Sequence, residues 1–420
     1  MKPDNFIKVV FCFFIFSFGH AQFSLDTELR PRAEYRHGYK TLIPDHVDAA
    51  LFVSQRTRLN ADYKLDGLSF YLSLQDVRVW GDVPQLNLSD KNGLGIHQVW
   101  GEIQLLEDLS LKVGRQEISY DDHRIFGNVG WAQQARSHDA LLLKYQKSDF
   151  KIHLGLAYNQ DAERLNGTTL TTPSTYKSLH YIWGNKTWEQ FSASLLILNN
   201  GEQFIDLINS NNNKTRYSQT LGTHLKYQEG HLNLSSNIFY QIGKDVLDND
   251  LNAFLLALEG NYNVTQKWRV GLGAELQSGN NNGLPADGKN KAFTPFYGTN
   301  HKFNGHMDYF YVGSHNNNVG LLDVYVQTKL TISEKSDLSL AFHNFSAEGK
   351  ISGTDKKELG SELDLAYAYK LQKYVSLTTG YSHLFPTKGM ETLKGNSDGN
   401  TNNWGWVMLT INPTLFTTKE

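Results

Sequence analysis

Residues 23–36 read FSLDTELRPRAEYR, and this stretch decides the fold class. The even positions carry six charged residues: Asp26, Glu28, Arg30, Arg32, Glu34 and Arg36. The odd positions carry a mainly apolar set: Phe23, Leu25, Leu29, Pro31, Ala33 and Tyr35. A period of two places all the charges on one face of a β-strand. In a soluble sandwich the charged face would be the exterior, but in a barrel that spans lipid it must face the lumen.

The same alternation recurs along the chain and predicts about eighteen strands, within a range of 16–18. The segments lie near residues 23–37, 47–64, 68–80, 95–106, 109–120, 135–146, 149–159, 176–184, 188–198, 215–227, 231–243, 251–264, 268–278, 319–332, 337–347, 358–371, 374–385 and 403–415. We therefore expect an all-β fold, a transmembrane up-and-down antiparallel β-barrel.

The connections between these segments alternate in length. Tight joins fall at residues 66–67, 107–108, 147–148, 185–186, 229–230, 266–267, 333–334 and 372–373, with long polar links between them. Short periplasmic turns and long extracellular loops have this rhythm, which also places both termini on the periplasmic side. The longest link, 279–318, carries enough aromatic residues to pack over or into the pore.

The N-terminus predicts an exported protein. Lys2 and Lys8 precede an apolar run over residues 9–18, and residues 19–21 (Gly-His-Ala) supply small side chains for cleavage. We expect a signal peptide over 1–21 and one barrel domain over 22–420, located in the outer membrane. The single cysteine, Cys12, lies in the signal, so the mature chain has no thiol for disulfides or thiolate metal ligands.

Composition agrees with a barrel. Aromatic residues make up 12% of the chain, yet no run of eighteen apolar residues follows residue 21. The net charge of −3 gives no case for nucleic-acid binding.

Arginines on the first two strands are the leading functional signal. Sided alternation puts Arg30, Arg32, Arg36, Arg56 and Arg58 in the lumen. Rings of basic side chains favour anions, and guanidinium groups bind carboxylates with two hydrogen bonds. The alternative is a lattice of salt bridges that stiffens the wall, and for any single arginine the two interpretations carry similar weight.

Three stretches resemble the alginate-export family of outer-membrane porins. They are VGRQEISYDDHRIFG (113–127) with Trp131 and RSHDA (136–140), FTPFYGTNHKFNGHMDYF (293–310), and the opening RPRAEYR (30–36) with Arg56 and Arg58. The resemblance implies an eighteen-stranded barrel whose electropositive constriction passes an anionic uronate polysaccharide or oligosaccharide passively. Periplasmic polysaccharide machinery and outer-membrane lipid are the other partners it implies.

The resemblance also implies roles for particular residues. It implies that the carboxylates of the solute are bound by basic residues, with Asp139 as a pairing partner. These basic residues are Arg56, Arg58, Arg115, Arg124, Arg136 and Lys302. Arg30, Arg32, His301 and Asp308 complete the predicted substrate pathway. The chain looks shorter and less cationic than a dedicated exporter, so a porin for other small anionic solutes remains the alternative.

Other classes of function have weaker support. An outer-membrane enzyme would need a catalytic triad, but adjacent residues in Ser137-His138-Asp139 or Ser314-His315 point to opposite faces of a strand. Loop residues His301, His306, Asp308 and His315 are more often solvated than metal-bound. We expect no catalytic residues, metal or cofactor. A purely structural barrel with a plugged lumen is the third possibility.

Overall fold

The fold is an antiparallel β-barrel, seen in a computed structural model that describes residues 21–86, 89–310, 318–395 and 399–418. The strands are β1 (Gln22–His37), β2 (Ala50–Leu65), β3 (Leu68–Val79), β4 (Gly95–Leu106), β5 (Leu109–Gln116), β6 (His138–Lys147), β7 (Phe150–Tyr158), β8 (Ser178–Trp188), β9 (Phe191–Phe204), β10 (Lys214–Glu229), β11 (Leu232–Lys244), β12 (Asp250–Asn263), β13 (Trp268–Gln277), β14 (Lys289–Asn290), β15 (Leu321–Ser333), β16 (Ser336–Ser346), β17 (Glu358–Gln372), β18 (Val375–Pro386), β19 (Asn402–Ile411) and β20 (Thr414–Thr417). One short helix, α1 (Lys388–Lys394), lies between β18 and β19.

Eighteen of the described strands form the closed wall, as the alternation predicted. Each wall strand pairs with its neighbours, β13 pairs with β15, and β1 closes the ring against β19. The break at residues 412–413 separates β20 from β19, and Pro413 has no N–H to donate to the ladder. Two-residue β14 lies outside the ring and pairs in parallel with the start of β12.

One predicted join is wrong. Residues 185–186 lie inside β8, and the turn falls at 189–190 instead. Asn185 pairs with Ser194 and donates from Nδ2 to Ser192 Oγ, so the ladder continues past the predicted join. Trp188 then pairs with Phe191, with their ring centroids 5.7 Å apart. Two predicted strands are also shorter than expected, because β5 ends at Gln116 and β6 begins at His138.

The outer face of the wall is apolar, and aromatic side chains border it at the end that carries the short turns and the termini. Outward side chains such as Leu221, Leu256 and Val326 are exposed. Trp188, Trp268, Phe70, Phe150, Phe416 and Tyr262 are exposed near the short turns and the termini. A lipid-facing band bordered by aromatic residues is typical of outer-membrane barrels. Among the described residues, no helix is long and apolar enough to cross a membrane. Of the predicted signal, only Ala21 is described.

Two connections fold inside the barrel. The first inner loop (residues 117–137) contacts β1 through Gly130 and β13 through Arg124. The second inner loop (residues 278–310) contacts β11 through Thr294 and β17 through Met307. A segment that touches such distant strands of a closed ring must cross its interior.

The inner loops pack on two apolar clusters at different parts of the wall. One cluster joins the second loop to β15–β19 and includes Met307, Phe345 and Trp404. The other joins both loops to β6–β12 and includes Phe126 and Leu198. The loops also bind each other, since Thr299 N donates to His123 O at 2.9 Å. Together they narrow the lumen.

Candidate permeation site

Three wall arginines are buried against the first inner loop. Arg30, Arg32 and Arg56 are 8%, 4% and 4% exposed. Arg30 donates to the carbonyl of Gly130 at 2.9 Å, and Arg32 donates to that of Trp131 at 2.7 Å. Alternation along β1 and β2 aims these side chains inward, and the loop then covers them. They hold the loop on the wall, so a solute has little access to them.

Carboxylates on the same wall neutralise part of this charge. Arg32 pairs with Glu34 at 2.9 Å, and Arg56 pairs with Glu28 at 2.6 Å. Arg36 shares the Glu34 carboxylate at 2.8 Å, but its side chain keeps 32% exposure. The lattice of salt bridges, which was the alternative interpretation of these arginines, is therefore present. Among the arginines in these pairs, Arg36 keeps the largest exposure to solvent.

A stacked group fastens the inner loops to each other beside this wall. The Arg32 guanidinium lies 4.0 Å from the Trp131 ring centroid, and His301 stacks on Trp131 at 4.5 Å. His301 Nδ1 is 2.8 Å from Asp308, which also accepts a hydrogen bond from the Tyr39 hydroxyl. Burial works to raise the pKa of Asp308, but His301 and Tyr39 outweigh it and hold that pKa below its usual range.

Arg58, the other arginine of β2, is half-buried and has an incomplete set of partners. Its Nε donates to Gln75 at 2.7 Å, and its Nη1 lies 4.0 Å from Glu117. Its Nη2 has no hydrogen-bond partner among the described residues. Arg58 therefore keeps donor capacity that Arg30 and Arg32 have used.

Arg124 is a structural clamp between the two inner loops and β13. It is 1% exposed and forms an ion pair with Glu275. Its two Nη atoms also donate to Asn300 at 3.3 Å and Asn304 at 3.1 Å. A guanidinium held in this way is buried away from any solute.

The register places Arg115 and Asp139 on the outer face of the wall. These residues pair across β5 and β6, and their side chains are 40% and 63% exposed. The next pair, Gln116 and His138, points inward and is buried. Arg115 and Asp139 bind each other at 2.8 Å, so the structure does not bring them to the lumen. Arg136 lies in the first inner loop and donates to Gly298 O at 3.1 Å.

Ser137, His138 and Asp139 do not form a triad. His138 Nδ1 lies 3.1 Å from the Tyr176 hydroxyl, on the opposite face from Asp139. Ser314 and His315 lie outside the described residues. Within the part of the chain that the structure describes, no three His, Cys, Asp or Glu side chains are grouped to hold a metal ion.

Three inward lysines without carboxylate partners among the described residues were missed in the sequence analysis. Lys112, Lys151 and Lys226 point inward on β5, β7 and β10, and no described carboxylate lies within 4.0 Å of their ammonium groups. The Lys112 ammonium lies 3.7 Å from the Trp100 ring centroid. Lys302, which was predicted, is exposed and donates to Asp122 O at 2.9 Å. The parity of each strand would have identified the three new lysines.

The inner loops leave separate cavities against the wall. One, of about 390 Å³, adjoins β1–β3 and is lined by Arg36, Lys40 and Trp131. Another, of about 480 Å³, adjoins β10–β16 and is lined by Lys226, Glu259 and Lys302. The two have no lining residue in common.

A family model described as alginate export matches residues 22–402, nearly all of the described chain. The chain belongs to the alginate export family. This confirms the resemblance seen in the loop motifs and identifies an outer-membrane protein. A comparison with curated proteins found no match.

Solved porins share the barrel of this alginate export family member. OccAB4 of Acinetobacter baumannii superposes with a TM-score of 0.63 at 12% identity, covering 94% of this chain and 98% of that one. OpdK of Pseudomonas aeruginosa gives 0.62 at 10% identity, with the same two coverages. At such low identity the likeness establishes the fold alone. Family and barrel together indicate a channel of the outer membrane rather than an enzyme.

Proposed function

We propose that this barrel is a passive, anion-selective channel for uronate oligosaccharides or polysaccharides. The observation that carries the proposal is the inward set of basic groups without carboxylate partners, namely Lys112, Lys151 and Lys226. Arg58 adds an unpartnered Nη2 on the same inner face. Ammonium and guanidinium groups aimed into a watery pore attract carboxylates.

Family membership supports the solute class, and the charge of the lumen supports the selectivity. The structure divides the predicted pathway residues into those that hold the inner loops and those that face the pore. Arg30, Arg32, Arg56 and Arg124 shape the lumen by holding the inner loops, whereas the lysines meet the solute and Arg58, whose side chain is 12% exposed, adds positive charge to the wall. A channel for other small anions is the alternative, and it requires the same charges without preference for a sugar acid.

Bilayer electrophysiology with matched variants tests the proposal. The refolded barrel should show a reversal potential that indicates anion selectivity, and uronate oligomers should block it in a concentration-dependent way. A unit charge contributes about 1 kcal/mol to an ion 4 Å away in water-like surroundings, roughly a fivefold change in occupancy. We therefore expect Arg58→Gln and Lys112→Gln each to reduce selectivity severalfold.

Lys186→Gln is the control, because Lys186 pairs with Asp149 and faces outward opposite Phe150. Its selectivity should match that of the unmodified barrel. Cation selectivity, or equal effects of all three variants, contradicts the proposal. Anion selectivity with equal block by uronate oligomers and simple carboxylates supports the small-anion porin instead.

A further inference from the structure

The cavity on the β10–β16 wall holds charges of both signs that do not pair across it. Its titratable lining comprises Asp121, Asp122, His224, Lys226, Glu259, Glu275, Lys302, His306, Asp323 and His343. In this set no ammonium of Lys226 or Lys302 lies within 4.0 Å of a described carboxylate. The lysine ammonium groups therefore form no ion pair with these carboxylates, although Lys302 donates to the backbone oxygen of Asp122 at 2.9 Å.

Several of these groups are already neutralised by protein partners. Glu275 pairs with Arg124, and Asp323 lies 2.9 Å from His343 Nδ1. Asp121 is an exception, because its donor is the neutral Trp183 Nε1 at 3.1 Å, which leaves its charge in place. His306 Nδ1 lies 3.7 Å from Asp364, a residue beneath the cavity.

Two further carboxylates also have neutral closest donors. Glu259 accepts from the Tyr325 hydroxyl at 2.5 Å and from Asn261 Nδ2 at 2.7 Å. Asp122 accepts from Asn237 Nδ2 at 2.6 Å, and His224 Nδ1 is 3.8 Å away. Neutral donors orient a carboxylate without cancelling its charge, so the cavity presents three uncompensated anions (Asp121, Asp122 and Glu259) and two uncompensated cations.

We propose that this cavity binds a small zwitterion, a solute that carries one carboxylate and one ammonium group. The solute's carboxylate would lie near Lys226 or Lys302, and its ammonium near Glu259 or Asp122. A solute that bridges the two pairs satisfies charges that the protein leaves unsatisfied, whereas a solute with a single charge meets attraction and repulsion together.

The site is distinct from the arginine wall and adjoins a second cavity nearer the short turns. It has no lining residue in common with the β1–β3 cavity. It has Glu259, His306, Gln327 and Ala341 in common with that second cavity, which has a volume of about 260 Å³ and reaches Arg269 and Lys329. A volume of about 480 Å³ accommodates an amino-acid-sized molecule with water. The site therefore offers a route for a solute class different from uronates.

Three probes of equal carbon length test the inference by titration calorimetry on the refolded barrel. They are 4-aminobutyrate with both charges, butyrate with the carboxylate, and butylamine with the ammonium. We expect 4-aminobutyrate to bind at least tenfold more tightly than either of the others. Lys226→Gln should abolish its advantage over butylamine, and Glu259→Gln should abolish its advantage over butyrate.

Lys335→Gln and Glu334→Gln serve as matched controls, since both residues are exposed in the short turn between β15 and β16. Both should bind 4-aminobutyrate as the unmodified barrel does. Equal binding of butyrate and 4-aminobutyrate, no binding of any probe, or indifference to both cavity variants overturns the inference. The reversal potential of the unmodified barrel, in which Lys226 is intact, reports on uronate-channel selectivity separately, so failure of either proposal is visible without the other.

Discussion

Removal of the Arg124 guanidinium should release the first inner loop from the wall. In Arg124→Met the carboxylate of Glu275, which is 4% exposed, loses its cation while remaining buried. Breaking a buried ion pair by removing one partner costs about 3–5 kcal/mol, because the other charge stays uncompensated. The population of the undocked loop should therefore rise by a factor of roughly 10²–10⁴.

Hydrogen exchange measures this change directly. The amides of Tyr120 and Gly127 bond to Phe126 O and Tyr297 O in the docked loop, so a peptide spanning them reports docking. Its opening free energy should fall by about 3–5 kcal/mol, up to the full docking energy of the loop. Open-channel current should also rise and become noisier, because a released loop no longer fills the lumen.

A double variant separates lost charge compensation from lost shape. Arg124→Met with Glu275→Leu replaces the pair by apolar side chains of similar size, and such replacements are often neutral. It should recover most of the lost protection. Arg78→Met removes a rim guanidinium that pairs with Asp76 and Asp90, and it should leave this peptide unchanged. The reasoning fails if Arg124→Met shifts the opening free energy by less than about 1 kcal/mol, or if the double variant is no better.

Two further predictions concern the second inner loop. Gly305 has φ +82°, and a Cβ there would lie 2.7 Å from the Glu362 carboxylate, so Gly305→Ala should cost about 1–3 kcal/mol more than Gly288→Ala. Gly288 has φ +70° with open space around it; equal urea midpoints for the two variants would contradict this. Because the pKa of Asp308 is lowered in the folded state, its ionised form adds stability above the unfolded pKa of about 3.9, and this is lost as pH falls. The difference in unfolding free energy between the unmodified chain and Asp308→Asn should thus shrink from pH 7 to pH 3. A constant difference would refute the lowered pKa of Asp308 in the folded state.

The strands were predictable because each obeys a local rule. Period-two alternation depends only on neighbouring residues, and the unequal connections reveal which end of the barrel carries the short turns. The join at 185–186 was misplaced because Asn185 looks like a turn residue. Its side chain instead bonds to Ser192 across the hairpin. Only the pairing partner reveals that role.

The candidate site was less predictable, because its chemistry depends on residues far apart in sequence. Arg124 is 151 residues from Glu275, and Arg30 is 103 residues from Gln133, to which it donates at 2.9 Å. No local pattern indicates that these arginines hold loops. The facing of Arg115 and the inward position of Lys226, by contrast, follow from strand parity and were accessible from sequence.

Contact with a solute and attraction of a solute are separate properties of the arginine wall. Within the described part of the chain, Arg30 donates only to neutral acceptors, the carbonyls of residues 130–132 and the amide of Gln133. Carbonyls satisfy its hydrogen bonds without cancelling its charge, whereas Glu34 and Glu28 offset the charges of Arg32 and Arg56. Since a charge in surroundings of low dielectric constant is weakly screened, a covered Arg30 still raises the potential of the lumen. The first inner loop thus covers the arginine while leaving its field in place, and under the proposed function Lys112, Lys151 and Lys226 would make the contacts that this field favours.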